Sequence, residues 1–318
     1  MPKILIVRLS SMGDVIHNLP AVTDLAAHYP NAELHWVVEE GFAELPALHP
    51  AVVRTIPFAL RRWRKKLLAP VHRDEMRAFR DRLRAERYDL VIDSQGLLKS
   101  ALVAKLTGAP IAGYDRRSIR EPLASWCYDQ KLAVSRSLHA IARNRLLTAR
   151  AMGYQPGEAI DYGVQPPAVD LAWRPRGDYA VLLTATSRDD KLWPEADWVG
   201  LGQSLARRGI VPVLPWGGEA ERLRAERIAA QLSGAVVAPR LLLGEAARLL
   251  ADARLAVGVD TGLVHLAAAV GVPTIALFCA SEPGLTGVLA SGYAVNLGGY
   301  GRPPALAEVE AAVAGALA

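Results

Sequence analysis

The chain alternates short unbroken apolar runs with longer amphipathic stretches, and it does so twice. In the first half, apolar runs predict strands at residues 4–8, 33–38, 53–57, 90–93 and 111–114, with helices between most of them. A stretch with little periodicity follows, carrying Pro156, Pro166, Pro167 and Pro175. It marks a boundary between domains at 1–165 and 166–318. The alternation then restarts with strands at 179–184, 211–215, 236–238, 255–259 and 274–278, and helices near 195–208, 219–232, 244–251 and 261–270. A last helix over 306–317 is Ala-rich with an apolar stripe, and should dock on one of the halves, with the first half as one option. Runs without alternation suit strands covered on both faces, so the pattern is α/β with two parallel sheets. In such sheets ligands bind beyond the carboxyl ends of the strands, so the strand-end loops of both halves should face a shared cleft.

Composition adjusts this picture in three places. With 318 residues and 51% hydrophobic content, the chain can bury a large core in two domains. Cys127 and Cys279 are too few for a disulfide framework or a thiolate metal site, which fits a reducing cytoplasm. The N-terminal apolar run is too short for a signal-peptide core, and the run 263–280 is broken by Gly271-Val272-Pro273, so neither secretion nor a membrane span is expected.

Charge is uneven. The net charge is +5, yet residues 54–87 hold twelve Lys/Arg against four Asp/Glu, a surplus of eight, so the rest of the chain carries −3. The knot Arg61-Arg62-Trp63-Arg64-Lys65-Lys66 therefore calls for an anionic partner: phosphates, an anionic sugar, a membrane surface or nucleic acid. Residues 73–87 mix both signs at helical spacing and read as a solvated face.

The strand-end loops carry the candidate chemistry. Leu255 to Val259 runs into Asp260-Thr261-Gly262, which is either an ordinary strand-to-helix turn capped by Asp260 or Thr261 or a phosphate site, with backbone N–H groups and a hydroxyl aimed above the strand ends. His265 follows one helical turn after Thr261, on the face of the cap. After the first strand, Ser10-Ser11-Met12-Gly13-Asp14 ends in a carboxylate that is either a helix N-cap or a general base. This loop lacks the Gly-x-Gly-x-x-Gly of dinucleotide-dependent dehydrogenases and any Walker lysine. In the second half, Thr186, Ser187 and Lys191 share one strand-end loop and suit a diphosphate, while Arg188, Asp189 and Asp190 either pair among themselves in a solvated turn or reach a ligand. Glu221 opens a later helix, where it can accept ribose hydroxyls or complement the helix dipole. With no Asp-x-Asp motif and no histidine cluster, the residues do not call for a bound metal or other cofactor.

Taken together and in order, these motifs resemble the ADP-heptose:lipopolysaccharide heptosyltransferases, glycosyltransferase family 9, and most nearly the heptosyltransferase I branch of the lipopolysaccharide inner core. The resemblance runs over nearly the whole chain: from Ser10 to Val15, then Trp36 to Phe42, Arg61 to Lys65, Asp93 to Leu97, Arg120 to Ser125, Arg188 to Lys191 and Asp260 to His265. It implies a GT-B fold, with two Rossmann-like domains facing across a cleft, acceptor in the first and nucleotide sugar in the second. It also implies an inverting, metal-independent transfer of heptose from ADP-heptose to a Kdo residue of Kdo-lipid A, by an enzyme peripheral on the cytoplasmic face of a Gram-negative inner membrane. Nucleic acid is not an implied partner.

Carried over position by position, Asp14 matches the base, and Lys191, Thr186 and Ser187 match diphosphate contacts. Glu221 matches a ribose contact, Leu241 an adenine-packing position, and Asp260, Thr261, Gly262 and His265 heptose and phosphate contacts. Ser10, Met12, Gly13, Arg61, Arg62, Arg64, Lys65 and Arg120 fall at acceptor positions. Leu241 where Met is usual, Ser187 where Thr is usual, and Ser281-Glu282 where Thr-Asp is usual depart from the family pattern while keeping its side-chain chemistry. Two other readings share the motifs: a heptosyltransferase II-like transfer onto heptose, and a non-catalytic sugar-nucleotide or glycolipid binding protein.

Overall fold

A computed structural model of the chain describes residues 1–65 and 70–318, so Lys66 of the basic knot lies outside the described residues. The chain divides into two compact units, Met1–Glu158 and Ala159–Ala318. The division falls seven residues before the expected 165/166. The reason is local: Tyr162 donates its hydroxyl to the Leu289 carbonyl at 2.7 Å, and Ser291 Oγ donates to the Ile160 carbonyl at 3.2 Å, tying this segment to the second unit.

The first unit is a six-stranded sheet of β1 (Lys3–Val7), β2 (Glu33–Glu39), β3 (Val52–Phe58), β4 (Leu90–Asp93), β5 (Ile111–Tyr114) and β6 (Gln130–Leu132). Its order is β3-β2-β1-β4-β5-β6 and every pairing is parallel. The central strand β1 is flanked on both edges and covered on both faces, which is why Ile4 to Val7 form an unbroken buried run. Register places Val7 beside Val37 on one side and Asp93 on the other, so the loops leaving β1, β2 and β4 emerge together.

The second unit repeats the order with β7 (Tyr179–Leu183), β8 (Val211–Leu214), β9 (Val236–Val237), β10 (Leu255–Val259), β11 (Thr274–Phe278) and β12 (Ala294–Gly298), arranged β12-β11-β10-β7-β8-β9 and again parallel throughout. Its core is built on Leu182, Val257 and Ile275 from the sheet and on Trp193, Trp198 and Leu201. At Gly258 in β10 a Cβ would lie 2.8 Å from the Leu183 side chain, so the close approach of β7 and β10 requires glycine. Of the two halves offered as a dock for the last helix, Leu306–Leu317, the second is the one its stripe packs on: Val309 and Val313 sit in that unit's core, against helix Glu195–Arg207 and strands β11 and β12.

In both units the chain rises from one strand through a helix to the next parallel strand, so all the strand-end loops of a unit lie at one edge of its sheet. The apolar run 263–280 resolves into helix Gly262–Ala269 and β11, and among the described residues no helix is long and apolar enough to cross a membrane.

Candidate active site

In the first unit the site is built where β1 ends. Arg8 is buried, its carbonyl accepts from Trp36 Nε1 at 3.1 Å, and its guanidinium donates to the Ser94 carbonyl and, at 2.8 Å, to Asp14 Oδ1. The other Asp14 oxygen accepts from the Ser11 backbone N–H at 2.9 Å and from the Ser11 hydroxyl at 3.0 Å. Asp14 is therefore not the N-cap of helix Met12–Ile16; Ser11 is, and Asp14 is its third residue reaching back to the cap N–H. Burial alone would raise the Asp14 pKa. The Arg8 charge, the two Ser11 bonds and His17 outweigh it and hold the carboxyl below its usual range.

The loop beneath Asp14 is fixed from β4. Gln95 accepts from the Leu9 N–H at 2.6 Å and donates to the Ser10 carbonyl at 3.1 Å, and Lys99 Nζ donates to Ser10 Oγ at 3.2 Å. Behind Gln95 stands Asp93, fully buried. It accepts from Gln95 N, Gly96 N, Ser100 Oγ and Tyr128 OH, the last at 2.7 Å. Burial pushes its pKa up against those four bonds.

Glu39, at the end of β2, links the Asp14 loop to the basic segment: its N–H donates to the Leu9 carbonyl at 3.0 Å, and its carboxylate accepts from the Arg61 N–H at 3.0 Å. The expected acceptor residues around it differ in availability. Arg61 is exposed, its guanidinium 5.3 Å from the Phe42 ring centroid, and Arg64, Lys65 and Arg120 are exposed as well. Arg62 is committed to Glu40 and Glu75, with its closest contact at 2.7 Å to Glu75. Trp63 is buried against Phe58 and Phe79, a core wedge within the knot. Helix Pro70–Ala85 buries only Phe79 and Leu83, as a solvated face should. Ser10, Met12 and Gly13 lie in the Asp14 loop and first helical turn.

In the second unit three of the expected donor residues, Thr186, Lys191 and His265, meet at Asp260. Its Oδ2 accepts from Lys191 Nζ at 2.6 Å and from Ser281 Oγ at 2.7 Å, while its carbonyl accepts from Thr186 Oγ1 at 3.1 Å. The buried His265 ring places Nε2 3.9 Å from Asp260 Oδ1. Burial would raise the Asp260 pKa, but bonds from His265, Lys191 and Ser281 hold it well below the carboxylate range. Thr261 is the N-cap of helix Gly262–Ala269, whose first N–H groups have no partners within the helix.

Arg188 pairs with Asp190 at the surface, the solvated turn allowed for that stretch. Ser187 is exposed on the same loop, and Glu221, on helix Glu219–Ala229, accepts from the Gly217 N–H at 2.7 Å. Leu241 is half-buried in the segment between β9 and helix Leu243–Ala251.

Four side chains that hold the candidate site together were given no role from the sequence, although Gln95 and Ser281 fall within the family motifs. Arg8 and Gln95 set the Asp14 loop, and Ser281 holds Asp260. Arg224 clamps both ends of the Lys191 loop through the Thr184 carbonyl at 3.0 Å and the Trp193 carbonyl at 2.6 Å. Arg8 had a local signal, a charge closing an apolar strand; the others act across sequence separations that local patterning does not register. Among the described residues one His/carboxylate group has metal-ligand spacing, Glu33, His35 and Glu86. The Lys3 ammonium already bonds both carboxylates, at 3.0 and 2.9 Å, and the group lies at the sheet edge opposite Asp14, where β1 and β2 begin.

Two parallel sheets of dinucleotide-fold order, one in each unit, are the architecture of the GT-B class. The family model described as "Glycosyltransferase family 9 (heptosyltransferase)" matches residues 76–311. The chain is 50% identical over 287 residues to lipopolysaccharide heptosyltransferase 1 of Pseudomonas aeruginosa, covering 90% of this chain and 81% of that protein. Among solved structures it matches E. coli heptosyltransferase WaaC with ADP, with TM-score 0.92, 41% identity and 99% of each chain covered. The same enzyme with ADP-2-deoxy-2-fluoro heptose matches with TM-score 0.84, 41% identity and 98% of each chain. The chain belongs to glycosyltransferase family 9, the heptosyltransferases.

Proposed function

We propose that this glycosyltransferase moves heptose from ADP-heptose to a Kdo hydroxyl of Kdo-lipid A, with inversion at the anomeric carbon. The observation that carries the reading is the cluster on Asp260, where a lysine and a helix N-terminus meet at the strand ends of a Rossmann-like unit. That pairing supplies positive charge to a departing diphosphate without calling on a divalent ion. Relatives with the heptosyltransferase 1 name, and a solved relative holding an ADP-heptose analogue, favour this donor and acceptor over transfer onto heptose.

In this mechanism the acceptor oxygen attacks the anomeric carbon as the bond from that carbon to the diphosphate breaks. The bonding pair leaves with ADP, and the hydroxyl proton passes to Asp14. Because Arg8 and Ser11 keep Asp14 ionised and weakly basic, transfer of that proton comes late, once bond formation has acidified the hydroxyl. Lys191 leaves Asp260 for the diphosphate, with Thr186 and Ser187 beside it. Asp260 and His265 face the heptose, Glu221 the ribose and Leu241 the adenine. Arg61, Arg64, Lys65 and Arg120 meet acceptor phosphates and carboxylates. A lipid-borne acceptor brings the enzyme to the membrane surface. The test is mass spectrometry of Kdo-lipid A incubated with protein and ADP-heptose: one heptose of added mass, undiminished by a chelator, is expected. No gain, or a gain only on an acceptor that already bears heptose, overturns the reading.

A further inference from the structure

Single exposed apolar residues are ordinary, but the first unit shows four on two packed elements. Helix Leu98–Lys105 exposes Leu98 and Leu102, four residues apart on one face, and the 3-10 turn Pro122–Cys127 exposes Leu123 and Trp126, three apart. Trp126 is 69% exposed and Leu102 62%, the two most exposed of the four. The two elements pack on one another, and Glu121, at the start of the turn, accepts the Leu98 N–H at 2.7 Å, joining the helix start to the turn.

Beside Leu102 the surface continues into an apolar groove of about 560 Å³, lined by Trp63, Met76, Phe79, Leu102, Val103 and Leu106, with Arg77, Arg80, Lys99 and Lys105 also on its lining. Residues 98–131 carry six cations, Lys99, Lys105, Arg116, Arg117, Arg120 and Lys131, against three carboxylates, Asp115, Glu121 and Asp129. Each of those carboxylates is turned to a backbone N–H, of Ser118, Leu98 and Ile111 respectively.

We propose that this face seats the first unit on an anionic bilayer surface, with Trp126, Leu123, Leu98 and Leu102 entering the interface and the flanking cations on the headgroups. A tryptophan with an apolar body and a polar N–H belongs at such an interface, and an amphipathic apolar patch inside a cationic frame is what an anionic membrane selects. A second copy is the poorer occupant, since a two-fold contact through this face would oppose two surfaces of the same positive sign. The placement also serves the chemistry. Lys99, on the docking helix, holds Ser10 at 3.2 Å, so the Asp14 loop lies next to the face, where a lipid-borne sugar would be presented. This inference rests on the lipid-borne acceptor of the proposed function.

The experiment is co-sedimentation of the full chain with phosphatidylglycerol-containing vesicles and with phosphatidylcholine vesicles, without substrate. Binding to the anionic vesicles alone, weakened by salt, is expected. The double variant Trp126→Ser, Leu102→Gln should lower the partition coefficient at least tenfold, and Lys105→Ala about fivefold. Both should keep the wild-type thermal midpoint and the wild-type rate on a water-soluble deacylated Kdo glycolipid. Three results overturn the inference: no binding of wild type to anionic vesicles, equal binding of the double variant, or a wild-type dimer that the double variant makes monomeric. A wild-type protein that binds vesicles yet transfers nothing to the soluble acceptor would overturn the functional reading instead.

Discussion

Both units tie a carboxylate to a cation at the C-terminal edge of a sheet with one strand order, yet they leave opposite partners to meet a substrate. In the first, Arg8 is the anchored member: its side chain is 10% exposed and is also held to the Ser94 carbonyl, while the Asp14 side chain is 33% exposed. In the second, Asp260 is anchored, accepting from both Lys191 and Ser281 at one oxygen, while Lys191, its side chain 20% exposed against 15% for Asp260, donates to Asp260. The lesson is that an ion pair at a strand end is not a role in itself. The partner that the fold fixes tunes the other, and in the proposed mechanism the partner with the more exposed side chain is the one that meets a substrate. The first unit thus offers a carboxylate, suited to take a proton, and the second a cation, suited to a leaving diphosphate.

The comparison breaks most severely at Asp14. Asp14→Asn keeps an oxygen for the Ser11 N–H but removes the base and the charge facing Arg8. The transfer rate should fall about 10²–10⁴-fold, with a stability cost of about 1–2 kcal/mol from the weakened Arg8 contact. Donor affinity should hold. A folded variant turning over within a few-fold of wild type would remove Asp14 from the mechanism.

Lys191→Ala comes next. Its loss should lower kcat by about 10²-fold and weaken donor binding, because the charge is needed most as ADP departs. Lys191→Arg should rescue part of the loss, as a fork replaces a point charge. Wild-type kcat at saturating donor would count against the leaving-group role.

A smaller effect belongs to the anchor of the second pair. Ser281→Ala removes one of the two bonds at Asp260 Oδ2 and should change donor KM only a few-fold, through about 1 kcal/mol. A change as large as that of Lys191→Ala would mean that Asp260, and not Lys191, is the offered member.

Smallest per residue are the exposed arginines: the double variant Arg61→Ala, Arg64→Ala should raise acceptor KM by roughly tenfold and donor KM hardly at all, and added salt should imitate it. Arg62→Ala should act on stability more than on KM, since Glu40 and Glu75 already hold that side chain. Equal effects on both substrates would sink an acceptor role for this segment.

Sequence patterning located ten of the twelve strands among the described residues because central parallel strands are apolar without interruption. The two it missed, β6 and β12, are sheet edges: Gln130-Lys131-Leu132 has hardly an apolar residue, and Ala294-Val295-Asn296-Leu297-Gly298 is only half-buried. Asp14, Lys191, Asp260 and His265 were singled out as candidates because the loops and helix starts that carry them follow predicted strands. Their partners were not. Arg8 meets Asp14 through a turn, and Ser281 meets Asp260 across 21 positions, so nothing local reveals which member of each pair is pinned. Asp14 was open between cap and base; the structure makes it the third helical residue, bonded to the true cap, Ser11.

The most direct test of the account is the pH dependence of kcat/KM for the acceptor in wild type and Asp14→Asn. Because the Asp14 carboxyl is held below its usual range, wild type should keep its base ionised as pH falls, with an acid limb only below the ordinary carboxylate region, and the asparagine variant should lose that limb. A limb of the same position in both proteins would contradict the claim that Asp14 is the carboxylate the first unit offers.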